Sequence, residues 1–205
     1  MNERMKKFFV NLLWLALILF VIRCMISMPK TIYDVYGCIG EIISITVILA
    51  CLYEKWLWKY NPLEKTPVLS KYYIGMIKSS NDNIERKANL QIKQTLFSIQ
   101  IFLTTTESKS KSISSSIDDV FGEQQLTYCY INNPNAEVRQ RSEIHYGTAM
   151  ICIENPKVLK GQYFTDRKTT GDMVFNAVTE DYKGRLCKKR ILHSLVRFHY
   201  EKENG

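Results

Sequence analysis

The side chains best suited to chemistry cluster in one short segment. Residues 165 to 170 read TDRKTT, which places two cations and three hydroxyls within six residues. A guanidinium forks onto two oxygens at once and threonine hydroxyls donate, so this is a donor set for phosphate. The same turn also reads as a solvated hairpin in which Asp166 caps its own backbone. A second polar run, SKSKSISSSI at 108 to 117, carries two lysines and six serines. It is either phosphate-facing or a strand with one solvated face. The phosphate candidates are therefore Arg167, Lys168, Thr169 and Thr170, with Arg141 and Lys93 as further cations. Tyr163 and Tyr146 offer rings on which bases stack, as do Tyr72 and Tyr73.

Catalytic patterns are missing from the sequence. It has no G-x-S-x-G, no Walker loop, no H-E-x-x-H and no G-x-G-x-x-G. His145, His193 and His199 lack metal-ligand spacing, and the six cysteines contain no C-x-x-C pair. His145 reads as a barrel-wall histidine with satisfied hydrogen bonds. Asp118 and Asp119 are adjacent, so on a strand they face opposite sides and cannot work as a carboxylate pair. The expectation is a binding protein with no enzymatic activity, no metal and no cofactor beyond an activating ligand. The scattered cysteines fit a reducing compartment.

The chain that must position these groups has 205 residues and a formal net charge of +8. Its mean hydropathy of −0.16 averages two unlike parts. From Phe8 to about Met28 the chain is apolar, about 21 residues and enough to cross a hydrocarbon core of roughly 30 Å. Tyr36 to Tyr53 forms a second stretch, followed by Trp56 and Trp58 as interfacial aromatics. A secretory signal is the weaker reading, since the first run exceeds an h-region, no small-x-small cleavage site follows, and a second apolar stretch begins within ten residues. The spacing predicts a transmembrane hairpin over residues 1 to 58 with a short outer loop. Arg4, Lys6 and Lys7 precede it and Lys55, Lys59 and Lys65 follow it, against Lys30 alone in the connecting loop. Both termini are then expected in the cytoplasm, with the chain multi-pass in a membrane and in contact with its lipid.

Two ionisable residues, Arg23 and Glu41, fall inside these spans at similar depth below the outer interface. A charge at the bilayer centre costs about 2.5–3.5 kcal/mol on insertion scales, so each is a functional candidate. Either they pair across the hairpin, or Arg23 snorkels to the headgroups while Glu41 faces its neighbouring helix.

Residues 59 to 68, containing NPLEKTP, read as a juxtamembrane linker, and 69 to 205 as one ligand-sensing domain. From Val68 onward, 20 Lys and Arg stand against 15 Asp and Glu, an excess suited to an anionic ligand and too small for duplex DNA or RNA. The apolar period is 2 in segment after segment, which predicts strands near 71–79, 87–93, 97–106, 110–118, 124–131, 143–154, 158–165 and 171–179. Leu90 and Ile92 are even-numbered whereas Phe97, Ile99, Ile101 and Leu103 are odd, so an inserted residue, bulge or tight turn is expected near Gln94 to Leu96. Turn residues at 81–83, 132–135, 155–156 and 166–170 link the strands as an antiparallel meander. About eight strands with no helix to cover a face are best closed into a small all-β barrel, a two-sheet sandwich being the alternative. The tail from Asp181, with its basic run KGRLCKKR at 183 to 190, reads as a ninth strand or a surface helix.

Two spans, an NPL linker, and the strings ANLQIKQTLFSIQIFLTT (88–105), SKSKSISSSI, EIHYGTAMICIE (143–154) and KGQYFTDRKTTGDM (160–173) together resemble the two-transmembrane, β-strand-rich effectors of bacterial cyclic-oligonucleotide anti-phage systems, known as CBASS. The resemblance covers nearly the whole chain. It implies a minimal cytoplasmic β-barrel that recognises a cyclic dinucleotide made by an associated nucleotidyltransferase after infection. Ligand then drives homo-oligomerisation, membrane disruption and death of the infected cell. The base identity and the oligomer size stay open. Two other readings are a membrane-tethered lipocalin-like carrier with an apolar interior, and a packed β-module that recruits another protein. A periplasm-active reporter inserted near Lys30 is expected to be active and one fused after Gly205 silent; the reverse pattern would contradict an intracellular sensor.

Overall fold

A computed structural model describes residues 3–178. The tail positions singled out in the sequence, including Cys187, His193 and His199, lie outside the described residues. Contacts divide the chain into a helical unit, through Lys65 together with Thr95–Phe97, and a barrel unit that holds the rest from Thr66 onward.

The helical unit begins with α1 (Glu3–Ile26) and α2 (Ile32–Lys55), both long and apolar enough to cross a membrane. Helix α1 stops just before Met28, whose helical conformation Pro29 disfavours. Helix α2 starts at a capping box. The Thr31 hydroxyl accepts from the Asp34 backbone N–H at 3.2 Å, and the Asp34 carboxylate accepts from the Thr31 N–H at 2.8 Å. The returning helix therefore starts four residues before the apolar stretch read from sequence. A 3-10 turn, Leu57–Tyr60, follows.

The second unit is a closed barrel of eight antiparallel strands in chain order: β1 (Tyr72–Ser79), β2 (Glu85–Gln94), β3 (Ile99–Thr105), β4 (Ser108–Val120), β5 (Glu123–Pro134), β6 (His145–Asn155), β7 (Val158–Thr165) and β8 (Thr170–Ala177). β8 closes the ring on β1, from Tyr73 opposite Ala177 to Ser79 opposite Gly171. Closure removes both sheet edges.

Alternation then sorts each strand into an inner and an outer set. On β2, Ala88, Leu90 and Ile92 are buried and the intervening residues are not; on β6 the same holds for Gly147, Ala149, Ile151 and Ile153. The inner set fills one core with Leu126, Leu159 and Phe175 at its centre, each fully buried. Burial of such a side chain contributes roughly 1.5–3 kcal/mol.

The change of parity between β2 and β3 needs no inserted residue. Leu90 lies opposite Leu103 and Ile92 opposite Ile101, so the turn at 95–98 pairs even with odd numbers and both sets face inward. The bulge is elsewhere. The β4–β5 register shifts between Ser112 and Ser114, which turns Ile113 out to solvent and lets Ser110 and Ile117 share the inner face despite opposite parity. The β4–β5 hairpin closes on Phe121 and Gly122, both at positive φ as a two-residue primed turn requires.

Two of the inner positions are glycines occupied from across the ladder. A Cβ on Gly75 would lie 1.9 Å from the Val174 carbonyl oxygen and 2.6 Å from the Phe175 ring, and one on Gly161 would lie 2.1 Å from the Met150 carbonyl oxygen. At both positions the paired neighbouring strand takes the room that a Cβ would need. At the end that holds Leu69, Ile92 and Ile153, the buried Tyr73 hydroxyl donates to the Pro156 carbonyl at 2.6 Å and accepts from the Ser70 N–H at 2.9 Å. Tyr73→Phe would leave both partners short of a bond. It is expected to lower unfolding free energy by about 1–3 kcal/mol, read as a lower chemical-denaturation midpoint with unchanged far-UV circular dichroism.

Candidate functional site

Followed toward one end of the barrel, the inward-facing residues change character in most strands. β1 runs from Tyr73 through Ile77 to Ser79, β3 from Ile101 through Leu103 to Thr105, β5 from Leu126 through Tyr128 and Tyr130 to Asn132, and β7 from Leu159 through Tyr163 to Thr165. In β2 the order reverses with the strand, from Ile92 through Leu90 and Ala88 to Arg86. All the polar ends fall at the same mouth, where a cavity of about 300 Å³ opens among Ile77, Leu103 and Met173 below, three tyrosines on the walls, and a polar rim above.

Tyr130 and Tyr163 are held in place by glycines. Tyr130 lies opposite Gly147 and Tyr163 opposite Gly171. A Cβ at Gly147 would sit 2.5 Å from the Tyr130 ring, and one at Gly171 2.5 Å from that of Tyr163. Each ring therefore lies over its partner's bare backbone, an aromatic-on-glycine packing that fixes its plane. Tyr128 and Tyr130 contact one another with ring centroids 5.8 Å apart. Burial pushes both phenols well above the ordinary tyrosine value, with Tyr163 and Asp166 adding to the effect at Tyr130. They stay protonated and available as donors.

A hydrogen-bonded belt lines one wall. Ser110 donates to the Asn132 side-chain oxygen at 2.9 Å, and the Asn132 amide lies 3.4 Å from His145 Nε2. His145 Nδ1 lies 2.9 Å from the Glu143 carbonyl, which fits the tautomer protonated at Nδ1.

Around the rim, Arg86 is clamped by Asp82 through two of its nitrogens, and its Nε lies 3.4 Å from Glu107. Arg141 donates to the other Glu107 oxygen at 2.6 Å. The Arg86 hydrogen bond is the largest cause holding the Asp82 carboxyl at about 2. Since the folded value lies below the usual carboxylate value, the clamp is fully formed above about pH 4 and is lost only as pH falls through about 2.

The TDRKTT turn differs from the hairpin in which Asp166 caps its own backbone. Asp166 accepts from the Tyr146 N–H of the neighbouring strand at 3.1 Å, rather than from its own turn, and Lys168 takes a left-handed conformation with φ of 58°. Thr165 and Thr169 hydroxyls lie 2.7 Å apart. This sends the Arg167 side chain across the mouth to Ser142, to whose hydroxyl it donates at 3.1 Å.

Of the residues proposed from sequence, the cavity brings together Arg141, Tyr163, Arg167 and Thr169. It does not include Lys168, Thr170, Tyr146 or Lys93. Thr170 hydrogen-bonds Ser80, Tyr146 is exposed on the outer face, and Lys93, at the opposite end of β2 from Arg86, lies over the Phe102 ring. Of the two further tyrosines, Tyr73 belongs to the core at the far end and Tyr72 alternates outward beside it. The sequence reading passed over Arg86, Asp82, Glu107, Asn132, Tyr128 and Tyr130, while Ser110 lies within the polar run 108–117 that it singled out. For the strand residues passed over the signal was parity, since each continues the inward set of its own apolar neighbours.

In the helical unit, Arg23 Nε donates to Glu41 Oε2 at 3.0 Å, and an Arg23 terminal nitrogen donates to the Ser27 carbonyl at 3.3 Å. The two charged candidates of the helices are paired across the hairpin.

A small barrel with an apolar floor, fixed aromatic walls and an arginine-bearing rim defines a receptor for a ligand that carries both flat rings and anionic groups. A family model described as "Cap15, cyclic dinucleotide receptor domain" matches residues 64–177, more than half of the chain and all eight strands of the barrel. The chain belongs to this family of cyclic dinucleotide receptors, as its resemblance to CBASS effectors implied. It is also similar to CD-NTase-associated protein 15 of Staphylococcus schleiferi, with 28% identity over 177 residues that cover 84% of this chain and 97% of the relative.

Arg167→Ala removes a guanidinium that reaches over the cavity without touching the core. In titrations of the full-length protein with a 3′,3′-linked cyclic dinucleotide it is expected to weaken binding at least about tenfold, the size of one charge-assisted contact. Unchanged affinity would return Arg167 to the role of a loop fastener on Ser142.

Proposed function

We propose that this chain is a ligand-gated membrane effector in which the barrel is the sensor and the helical hairpin the killing element. The ligand enters the polar mouth, its phosphates take Arg141 and Arg167, and its bases lie against Tyr130 and Tyr163. The observation that carries this reading is the joint presence, at one end of a closed barrel, of guanidinium donors above and glycine-backed tyrosines below. Neither a fatty acid nor a peptide calls for that pair.

The carrier alternative requires an open apolar interior. Below the mouth the interior is instead filled by Leu90, Leu126, Ile151, Leu159 and Phe175, which leaves no slot for an acyl chain. No cofactor beyond the activating ligand and no catalytic step enters this account.

The hairpin crosses the bacterial inner membrane with both termini in the cytoplasm, placing the barrel where an associated nucleotidyltransferase releases its product. Ligand shifts the chain toward an assembled state only if it binds that state more tightly than the monomer. Homo-oligomers of the hairpin then breach the bilayer. The Arg23–Glu41 pair supports a role beyond anchoring, because an anchor needs only hydrophobicity and a charge in lipid costs about 2.5–3.5 kcal/mol on insertion scales.

The test uses the full chain in liposomes that hold a fluorescent dye. A 3′,3′-linked cyclic dinucleotide is expected to cause crosslinked oligomers and dye release, and its linear form neither. Arg23→Gln and Glu41→Gln should each impair release more than the double variant, since either single change strands a charge in lipid. Equal release from a chain carrying an unrelated two-span hairpin would assign killing to the barrel or to a partner it recruits.

A further inference from the structure

The rim that faces an anionic ligand contains an anion of its own. Glu107 occupies the two-residue link between β3 and β4, and its two carboxylate oxygens are taken by different arginines: Oε2 by Arg86 Nε at 3.4 Å and Oε1 by Arg141 at 2.6 Å. These arginines come from distant parts of the chain, one from the start of β2 and the other from the loop between β5 and β6. The carboxylate thus sits between two guanidiniums at the mouth, in the arrangement a phosphate would take.

The two arginines differ in what else holds them. Arg86 keeps its bidentate clamp to Asp82 whether or not Glu107 is present, and its side chain is three-quarters buried. Arg141 has a side chain that is 63% exposed, and Glu107 is the acid it pairs with. The link between β3 and β4 is fixed independently of these ion pairs, since the Glu107 carbonyl accepts from the Asn135 N–H at 2.8 Å and Asn135 donates to the Thr106 carbonyl at 2.9 Å. The Glu107 side chain is therefore not needed to keep its own backbone in place.

We propose that Glu107 is an internal stand-in for the ligand's phosphate, which occupies Arg141 in the free receptor and must be displaced for the cyclic dinucleotide to bind. The inference rests on the proposed mode of binding and adds what sets its strength. A carboxylate at the rim repels each incoming phosphate and competes for the same N–H donors. Its presence lowers affinity, and so raises the concentration of messenger at which the effector responds. It also favours a ligand with two phosphates over a single inorganic anion, because one phosphate gains little by merely replacing a carboxylate.

The experiment compares wild type, Glu107→Gln and Glu107→Ala, all full length in lipid nanodiscs. Each is titrated calorimetrically with 3′,3′-linked cyclic di-GMP and cyclic GMP-AMP at two salt concentrations, with inorganic phosphate as a control anion. The expected result is binding about tenfold tighter or more in both variants, with a steeper loss of affinity on adding salt and with measurable phosphate binding that wild type lacks. Folding is checked by thermal unfolding, and whichever variant retains a cooperative transition is the one read. Affinity that falls or stays the same in a folded variant overturns the proposal and makes Glu107 a positioning residue for Arg141 or a direct contact for a base. If wild type binds none of the cyclic dinucleotides while its barrel is folded, the proposed binding mode itself fails, and this inference with it.

Discussion

Closure of the sheet is the constraint from which the rest of this structure follows. An eight-stranded ring of this size has an interior only as wide as the side chains that fill it, and strict alternation decides which residues those are. Inward positions at Leu126, Leu159 and Phe175 make a solid plug. Where the inward residues become Ser79, Arg86, Thr105, Ser110, Asn132, His145 and Thr165, packing gives way to a polar mouth. The same periodicity thus builds both the core and the site. The barrel needs no added lid or second domain to make a cavity, because the cavity is the unfilled end of the core.

Electrostatics at this mouth is balanced rather than simply positive. Arg86 is spent largely on Asp82, and Glu107 draws on both Arg86 and Arg141. Arg167 leans on the neutral hydroxyl of Ser142. Arg86, through Asp82, and Arg167, through Ser142, are consequently held before ligand arrives, which reduces the side-chain entropy that binding would otherwise have to overcome. The tyrosines follow the same logic by a different means, their rings held over Gly147 and Gly171 by lack of room.

The fold was legible in the sequence because strands betray themselves through period 2 and through the turn residues between them. All eight strands overlap the segments that alternation marked, although β5 runs on to Pro134 through residues read as a turn because they pair with the start of β4. The parity change between Leu90 and Ile101 is real, although a hairpin produces it without a bulge. The true bulge at Ser112–Ser114 was hidden because serines occupy both faces there, so the pattern carries no apolar contrast to reveal a slip. The site was only half legible. Composition drew attention to TDRKTT, but composition does not say which way a side chain points, and within that run Arg167 and Thr169 reach the cavity while Lys168 and Thr170 do not. Arg86, Tyr130 and Asn132 were readable in principle by extending the inward parity of β2 and β5 past their apolar stretch. Asp82, Glu107 and Arg141 were not readable in this way, since they come from links whose course is set by tertiary pairing. Family membership then joins this geometry to a cyclic dinucleotide receptor.

The central claim is that the ligand sits in the polar end of the barrel. A structure of the full-length chain bound to a 3′,3′-linked cyclic dinucleotide tests it most directly. The account predicts phosphate oxygens about 2.7–2.9 Å from the guanidiniums of Arg141 and Arg167, and a base lying against Tyr130 or Tyr163. A ligand found on the outer face, or at the end closed by Tyr73 and Pro156, would contradict it.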